Sequence, residues 1–298
     1  MVHITQYREG FAQGKTEITR FDESEDNTGI AFSIYKFIAG ESFRIITQHE
    51  MAWLLIRGKV TLRFTEPMTH VSAHVKKNEV LKRTEKSNKN NVKDPSEIIL
   101  HRDSLFDDEP QCLHVCAGTE VIYFFHTDTE FAVFEVANDK PFATKVITQV
   151  ANEARGKGLV SDTSLRLVRT LFDRSNSDIN AELVLGEVVT LPGRWSSYPP
   201  HHHPQPEIYH YRFTELQGFG HGEHGEDVYK IKANDTLKIM PGHDHAQVAA
   251  PGYGMWYVWA IRHLPNNPYI APTFREAHRW TMFADNPSWQ PYTFEKEC

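Results

Sequence analysis

The chain has 298 residues, 40% hydrophobic and 24% charged, which is the balance of a packed globular protein and enough length for two domains of roughly 150 residues. A net charge of −7 argues against nucleic acid or an anionic membrane as the main partner. Cys112, Cys116 and Cys298 are too few and too odd in number for a disulfide framework, and the opening MVHITQYREGFAQGK lacks the apolar stretch of a signal peptide. Runs such as MAWLLI and VIYFF are too short to span a bilayer, so a reduced, cytoplasmic protein is expected.

In chain order, the pattern predicts strands over 30–38, 43–48, 51–56, 59–64, 98–106, 120–125 and 130–137, with Gly40, Gly58 and Gly118 at turn positions. Residues 65–97 interrupt this series. Their stretch KKNEVLKRTEKSNKNNVKD carries seven basic and three acidic residues and almost nothing apolar, which reads as a solvated insertion between two strands. ANEARGKGLVSD, 151–162, reads as the connection between halves, dividing the chain into 1–150 and 151–298. Further strands are predicted over 164–172, 181–190, 206–213, 226–232, 236–240, 246–250 and 254–262. Many short strands at regular spacing predict an all-β sandwich or barrel, and similar strand numbers in the two halves point to a duplicated one.

Eight of the 17 histidines fall between His201 and His245. If 201–203 is extended, His201 and His203 face one side and His202 the other. A Pro-Gln-Pro turn then leads to Glu207, which opens EIYHYRF with Glu207, Tyr209, Tyr211 and Phe213 on one side. The turn MPGHDH brings a further imidazole, from His245 or His243, whose parity is the same. His-x-His-x3-Glu followed by a Pro-Gly turn and a histidine is the cupin metal signature. Three imidazoles and a carboxylate suit Zn²⁺, Mn²⁺, Fe²⁺ or Ni²⁺ and leave positions open for a substrate. His210, His221 and His224 read as surface or supporting groups, and Arg212, opposite in parity to Tyr211, as outward. In the first half His49, His101, His114 and His126 form no such set. LHVCAG reads as a cupin turn without partner ligands, with Cys112 and Cys116 as buried small hydrophobes. The first half is therefore expected to be structural.

RWSSYPPHHH, EIYHYRF, QGFG, VYKI, QVAAPGYGMWYVW and RWTMFADNPSW, with IAGESF and ARGKG upstream, resemble the 5-deoxy-D-glucuronate isomerase family of myo-inositol catabolism. That family is similar to the 5-keto-4-deoxyuronate isomerases of pectin breakdown. The resemblance implies a bicupin, two tandem double-stranded β-helix (jelly-roll) barrels, with one metal, most often zinc, in the second. Matching on VAAPGY places the second-motif ligand on His245, so the implied ligands are His201, His203, Glu207 and His245. The sequence departs from the family in the short Pro-Gln-Pro loop, the insertion 65–97 and the extra stretch HLPNNPYIAPTFREAH at 263–278.

The implied reaction converts the aldose 5-deoxy-D-glucuronate to the ketose 5-dehydro-2-deoxy-D-gluconate. A divalent metal can polarise both substrate oxygens in such a step, while a nearby group handles the proton. Tyr209, Tyr211 and Tyr257 are the candidate catalytic side chains, and Arg262 or Lys230 the candidate partners of a substrate carboxylate. The same ligands would also serve an iron-dependent dioxygenase or a non-catalytic sugar-binding bicupin. A uronate or deoxy-sugar is the expected small-molecule partner. Association into a homo-oligomer through exposed strand edges is also expected.

Overall fold

In a computed structural model, the structure describes residues 3–67, 97–284, 288–289 and 291; most of the lysine-rich insertion thus lies outside the described residues. The described chain is built almost entirely of strands. The first ten are β1 (Ile4–Gln6), β2 (Gly14–Thr19), β3 (Ile30–Phe37), β4 (Ser42–Ile46), β5 (Glu50–Thr65), β6 (Ile98–Arg102), β7 (Cys112–Val115), β8 (Glu120–Phe125), β9 (Thr129–Val136) and β10 (Lys145–Ile147). Then follow β11 (Glu153–Arg155), β12 (Arg166–Phe172), β13 (Leu183–Thr190), β14 (Trp195–His202), β15 (Glu207–Phe213), β16 (Phe219–His224), β17 (Asp227–Lys232), β18 (Asp235–Ile239), β19 (His245–Ala249), β20 (Met255–Arg262) and β21 (Thr273–Phe274).

The two strands expected over 51–56 and 59–64 are one. β5 pairs with β7 and β9 before Gly58, and with β6 and β8 from Gly58 onward. Gly58 makes the change of partners possible. Its φ is +115°, and a Cβ there would lie 2.5 Å from Thr129 Oγ1. One strand thereby serves both sheets of the first barrel, whose interior is filled by Tyr35, Trp53, Leu62, Tyr123 and Phe131.

The second half forms a seven-stranded sheet, β1-β18-β15-β20-β13-β12-β11, facing a five-stranded one, β17-β16-β19-β14-β21. The N-terminal β1 belongs to this half, pairing Ile4 with Leu237, and Arg8 bonds Asp235 beside it at 2.7 Å. β13 is buried along its whole length because one face looks into its own barrel and the other packs on the first half. The contact between halves is itself a core, in which Phe32, Leu54 and Phe134 meet Leu185, Ile208 and Trp256. Buried charge crosses it too. Glu187 accepts from Arg102 at 2.7 Å and from Arg169 at 2.9 Å.

Arg212 does point out of its barrel, as its parity requires, but it meets the first half and pairs with Glu130 instead of reaching solvent. His210 and His224 are likewise buried, not surface groups: His210 bonds Thr236 at 2.8 Å, and His224 stacks between His3 and His243.

Candidate metal centre and its pocket

The second barrel's interior is apolar and tyrosine-rich at one end and carries the histidines at the other. β14 reaches this end through an irregularity. Ser196 pairs with Gln247 and the next paired residue is His201, opposite His245, so residues 197–200 bulge from the ladder. Ser197 sits in the left-handed region at φ 51°, which turns its hydroxyl toward Tyr209 (3.4 Å) and Tyr257 (3.1 Å). The Pro-Gln-Pro turn then reverses the chain so that His203 and Glu207 face each other. The amide of Gly242, in the turn before His245, donates to the His203 carbonyl at 2.9 Å and ties the two ligand-bearing loops together.

Ligating atoms of His203, Glu207 and His245 all lie within 4.8 Å of one another, and all three residues are buried. Glu207 Oε2 is 3.2 Å from His203 Nε2 and 3.4 Å from His245 Nε2. His201 stands outside this group of three but beside it: its ring centre is 4.4 Å from that of His245, and it lines the same pocket. The Nδ1 atom of each imidazole faces a backbone carbonyl: Pro199 for His201 (2.9 Å), Gln205 for His203 (2.8 Å) and His243 for His245 (3.2 Å). Nδ1–H donation to those carbonyls leaves each Nε2 with a free lone pair, which is the arrangement that orients a ligating histidine. Burial pushes His201 down to about 4 and His245 well below the usual histidine range, so both are neutral at pH 7. Burial also pushes the Glu207 carboxyl up, against the opposing influence of the His203 ring 3.2 Å away.

A divalent cation fits this set. His245 Nε2 is buried without a hydrogen-bond partner, and three imidazoles with one carboxylate match the donors preferred by zinc and its first-row neighbours. His243 contributes its carbonyl, while its ring is exposed and stacks on His224 at 4.4 Å. His202 points away, with Nδ1 2.8 Å from Asp244.

Above the centre lies a cavity of about 170 Å³. That is small beside the ~300–1,000 Å³ of a drug-sized site and suits a compact molecule. Tyr209 and Tyr257 line it; Tyr211 lies deeper, fully buried, with its hydroxyl donated to Gln247 at 2.8 Å.

The family model for KduI/IolB proteins matches residues 89–281. The chain belongs to the KduI/IolB family. A 5-deoxy-glucuronate isomerase of Geobacillus kaustophilus is 27% identical over 170 residues, covering 48% of this chain and 59% of the relative. One of Bacillus subtilis is 26% identical over 207 residues, covering 62% and 72%. The chain thus spans less than two thirds of the length of the Geobacillus relative. Among solved structures, an IolB-like protein of Salmonella typhimurium superposes with a TM-score of 0.69 over 91% of this chain and 96% of that one, at 21% identity. A Bacillus subtilis oxalate decarboxylase gives 0.59 over 96% and 79%, at 10% identity. These likenesses concern the fold, and they bear out the all-β bicupin architecture.

Within this KduI/IolB framework, two sets of pocket residues escape sequence reasoning. Tyr269, Pro272 and Phe274 come from the stretch 263–278, which folds back over the centre. β21 pairs with β14 there, setting Phe274 opposite His201. Tyr269 packs edge-on to His203 at 4.9 Å, and its amide donates to the buried His263 ring at 2.9 Å. The only hint in the sequence is a pair of aromatic residues in the segment after the last long strand. The second set is Arg155 and Arg166 on β11 and β12. Here the hint is parity, since Arg166 shares a strand face with the inward Val168. Arg262 and Lys230, the expected cations, are elsewhere: Arg262 pairs with Glu182 at 3.3 Å, and Lys230 lies 4.5 Å over the Phe219 ring.

Proposed function

We propose that the chain is a metal-dependent aldose–ketose isomerase that converts 5-deoxy-D-glucuronate to 5-dehydro-2-deoxy-D-gluconate in a reducing, cytoplasmic setting. The observation that carries this reading is the convergence of His203, Glu207 and His245, with His201 beside them, under a small pocket in a family whose matched relatives bear the name 5-deoxy-glucuronate isomerase. His201, His203, Glu207 and His245 would hold one divalent ion, zinc by preference. When bound, such an ion supplies Lewis acidity toward the adjacent carbonyl and hydroxyl oxygens of a sugar.

The protein's own groups supply orientation and proton placement. Burial and neighbouring negative charge hold the Tyr209 phenol well above its usual range, and burial raises that of Tyr257 against the hydrogen bonds from Ser196 and Ser197. Both hydroxyls are therefore protonated at neutral pH and, gathered around Ser197, can donate to a sugar oxygen as its charge grows. Tyr211 supports them from below by fixing Gln247. Trp259, Tyr269 and Phe274 wall the pocket and exclude bulk water from it. Residues 1–150, apart from β1, serve as a structural barrel in this reading, and residues 151–298 carry the chemistry. Among the described residues, the first half holds no convergent ligand group, and His114 is engaged with Glu50 at 2.8 Å. A homo-oligomer built through exposed strand edges completes the proposal.

Proton NMR of 5-deoxy-D-glucuronate with zinc- or manganese-loaded protein tests the assignment. Loss of the aldehyde and hydrate signals with growth of the ketose is expected. An unchanged spectrum from protein with metal demonstrably bound would overturn it.

A further inference from the structure

Arg155 and Arg166 are direct partners in the antiparallel pairing of β11 with β12, so two guanidinium groups face the same side of a two-stranded ladder. Like charges directly opposite one another destabilise a sheet, and a chain keeps such a pair only against a gain elsewhere. Both line the cavity above the candidate centre. Arg155 is exposed and has Glu153 at 2.7 Å. Arg166 differs, because no carboxylate lies within ion-pair distance of it among the described residues. Its Nη1 donates to the Ser164 carbonyl at 2.9 Å and its Nη2 to the Tyr198 carbonyl at 3.4 Å. These two bonds aim the guanidinium while leaving its charge uncompensated.

The rest of the molecule treats its buried and half-buried arginines differently. Arg102 and Arg169 share Glu187, and Arg212 has Glu130. An aimed, half-buried arginine with no anion of its own, backed by a second in register at the mouth of a pocket, is the arrangement that recognises a carboxylate.

We propose that Arg166, supported by Arg155, binds the carboxylate of an acyclic sugar acid and thereby sets the other end of the molecule against the His/Glu centre. The assignment of that sugar acid as substrate rests on the isomerase reading; the anion site rests on the two arginines. The pair makes the pocket selective for acidic over neutral sugars of the same length, and it fixes which end of the chain approaches Tyr209 and Tyr257.

Binding of D-gluconate and of D-glucitol to the metal-loaded protein, followed by titration calorimetry, tests the proposal, since the two differ only at C1, a carboxylate against a hydroxymethyl group, and neither has a carbonyl to isomerise. Wild type is expected to bind gluconate about ten- to a hundredfold more tightly than glucitol, the range of a charge-assisted hydrogen-bonded pair. Arg166→Met is expected to abolish that preference, Arg166→Lys to retain part of it, and Arg155→Met to reduce it severalfold without lowering Tm, because it relieves the cross-strand repulsion. Metal content stays at the wild-type level throughout. Equal binding of the two probes by wild type, or an undiminished preference in a folded Arg166→Lys or Arg166→Met, overturns the anion site.

The two readings fail separately. Arg166-dependent gluconate binding without turnover of 5-deoxy-D-glucuronate removes the isomerase and keeps the anion site. Turnover with an unchanged KM in the Arg166 variants does the reverse.

Discussion

At the residue scale, desolvation does at the candidate centre what a protonation switch would otherwise undo. His201 and His245 are held neutral by burial, and their Nδ1 protons go to backbone carbonyls, so each Nε2 keeps a lone pair for a cation. Glu207 is the counterpart: burial disfavours its charge, and a cation restores it. Removing either kind of ligand is therefore expected to be severe. His245→Ala and Glu207→Gln should each weaken zinc affinity by more than the ~10–100-fold that loss of a merely supporting contact costs. Competition with a chromophoric chelator reads this directly, and wild-type affinity in either variant would remove that residue from the ligand set. Thermal protection by zinc should disappear in parallel, since stabilisation by a ligand follows its affinity for the folded state.

At the scale of elements, the pocket depends on how closely β13 and β20 approach. Gly186 of β13 lies opposite Trp259 of β20, and a Cβ on Gly186 would fall 2.2 Å from the indole. The missing side chain is the space that Trp259 occupies on its way to the pocket wall. Gly186→Ala is expected to cost about 1–3 kcal/mol, the usual penalty of overpacking. It should also shift the tryptophan fluorescence and weaken sugar binding together. Denaturant unfolding checks the first, and a loss of stability with unchanged binding would mean that the indole moves away from the cavity. The bulge of β14 and the return of 263–278 as β21 act at the same scale. One aims Ser197 at two tyrosines, and the other sets Phe274 and Tyr269 over the histidines.

At the scale of the whole molecule, buried polar contacts join the two halves across an otherwise apolar seam. Glu50, fully buried on the first half, accepts from His114 (2.8 Å) and Asn138 (2.7 Å) and from the amides of Glu182 (2.7 Å) and Leu183 (2.9 Å) on the second. Burial alone would push its carboxyl up, but the hydrogen bonds from His114, Asn138 and the Glu182 amide together outweigh it and hold it below the usual range. A carboxylate depressed in the folded state stabilises at pH values above its unfolded pKa, about 4.3, and that contribution is lost as pH falls through the lower folded value. Glu50→Gln is expected to cost about 1.5–3 kcal/mol at pH 7 and to flatten the stability profile on the acid side. Urea unfolding between pH 7 and pH 3 measures both. A variant whose stability falls as steeply with acid as that of wild type would show that other carboxylates set the slope.

Alternating and continuous apolar runs suffice to predict nearly all the long strands, because a strand's pattern is local and repeats every two residues. The same local logic puts His201 and His203 on one face and Glu207 with Tyr209 on another, and a short turn can bring only those faces together. What lies beyond a single strand's parity is different in kind. That β5 is one strand serving two sheets depends on Gly58 meeting Thr129, 71 positions away, and that Arg212 is half-buried depends on Glu130 in the other half. Tyr211 shares the parity of Tyr209 yet lies beneath the pocket, because strand alternation assigns a face but not a depth. Arg166 and Tyr269 reach the cavity only through the pairing of β11 with β12 and the fold-back of the segment after β20. The amino-acid sequence by itself determined the all-β class and the strand face that carries the candidate ligands. Only the tertiary structure decided which charges and aromatic rings surround that face, since their proximity is a property of the pairing between distant strands.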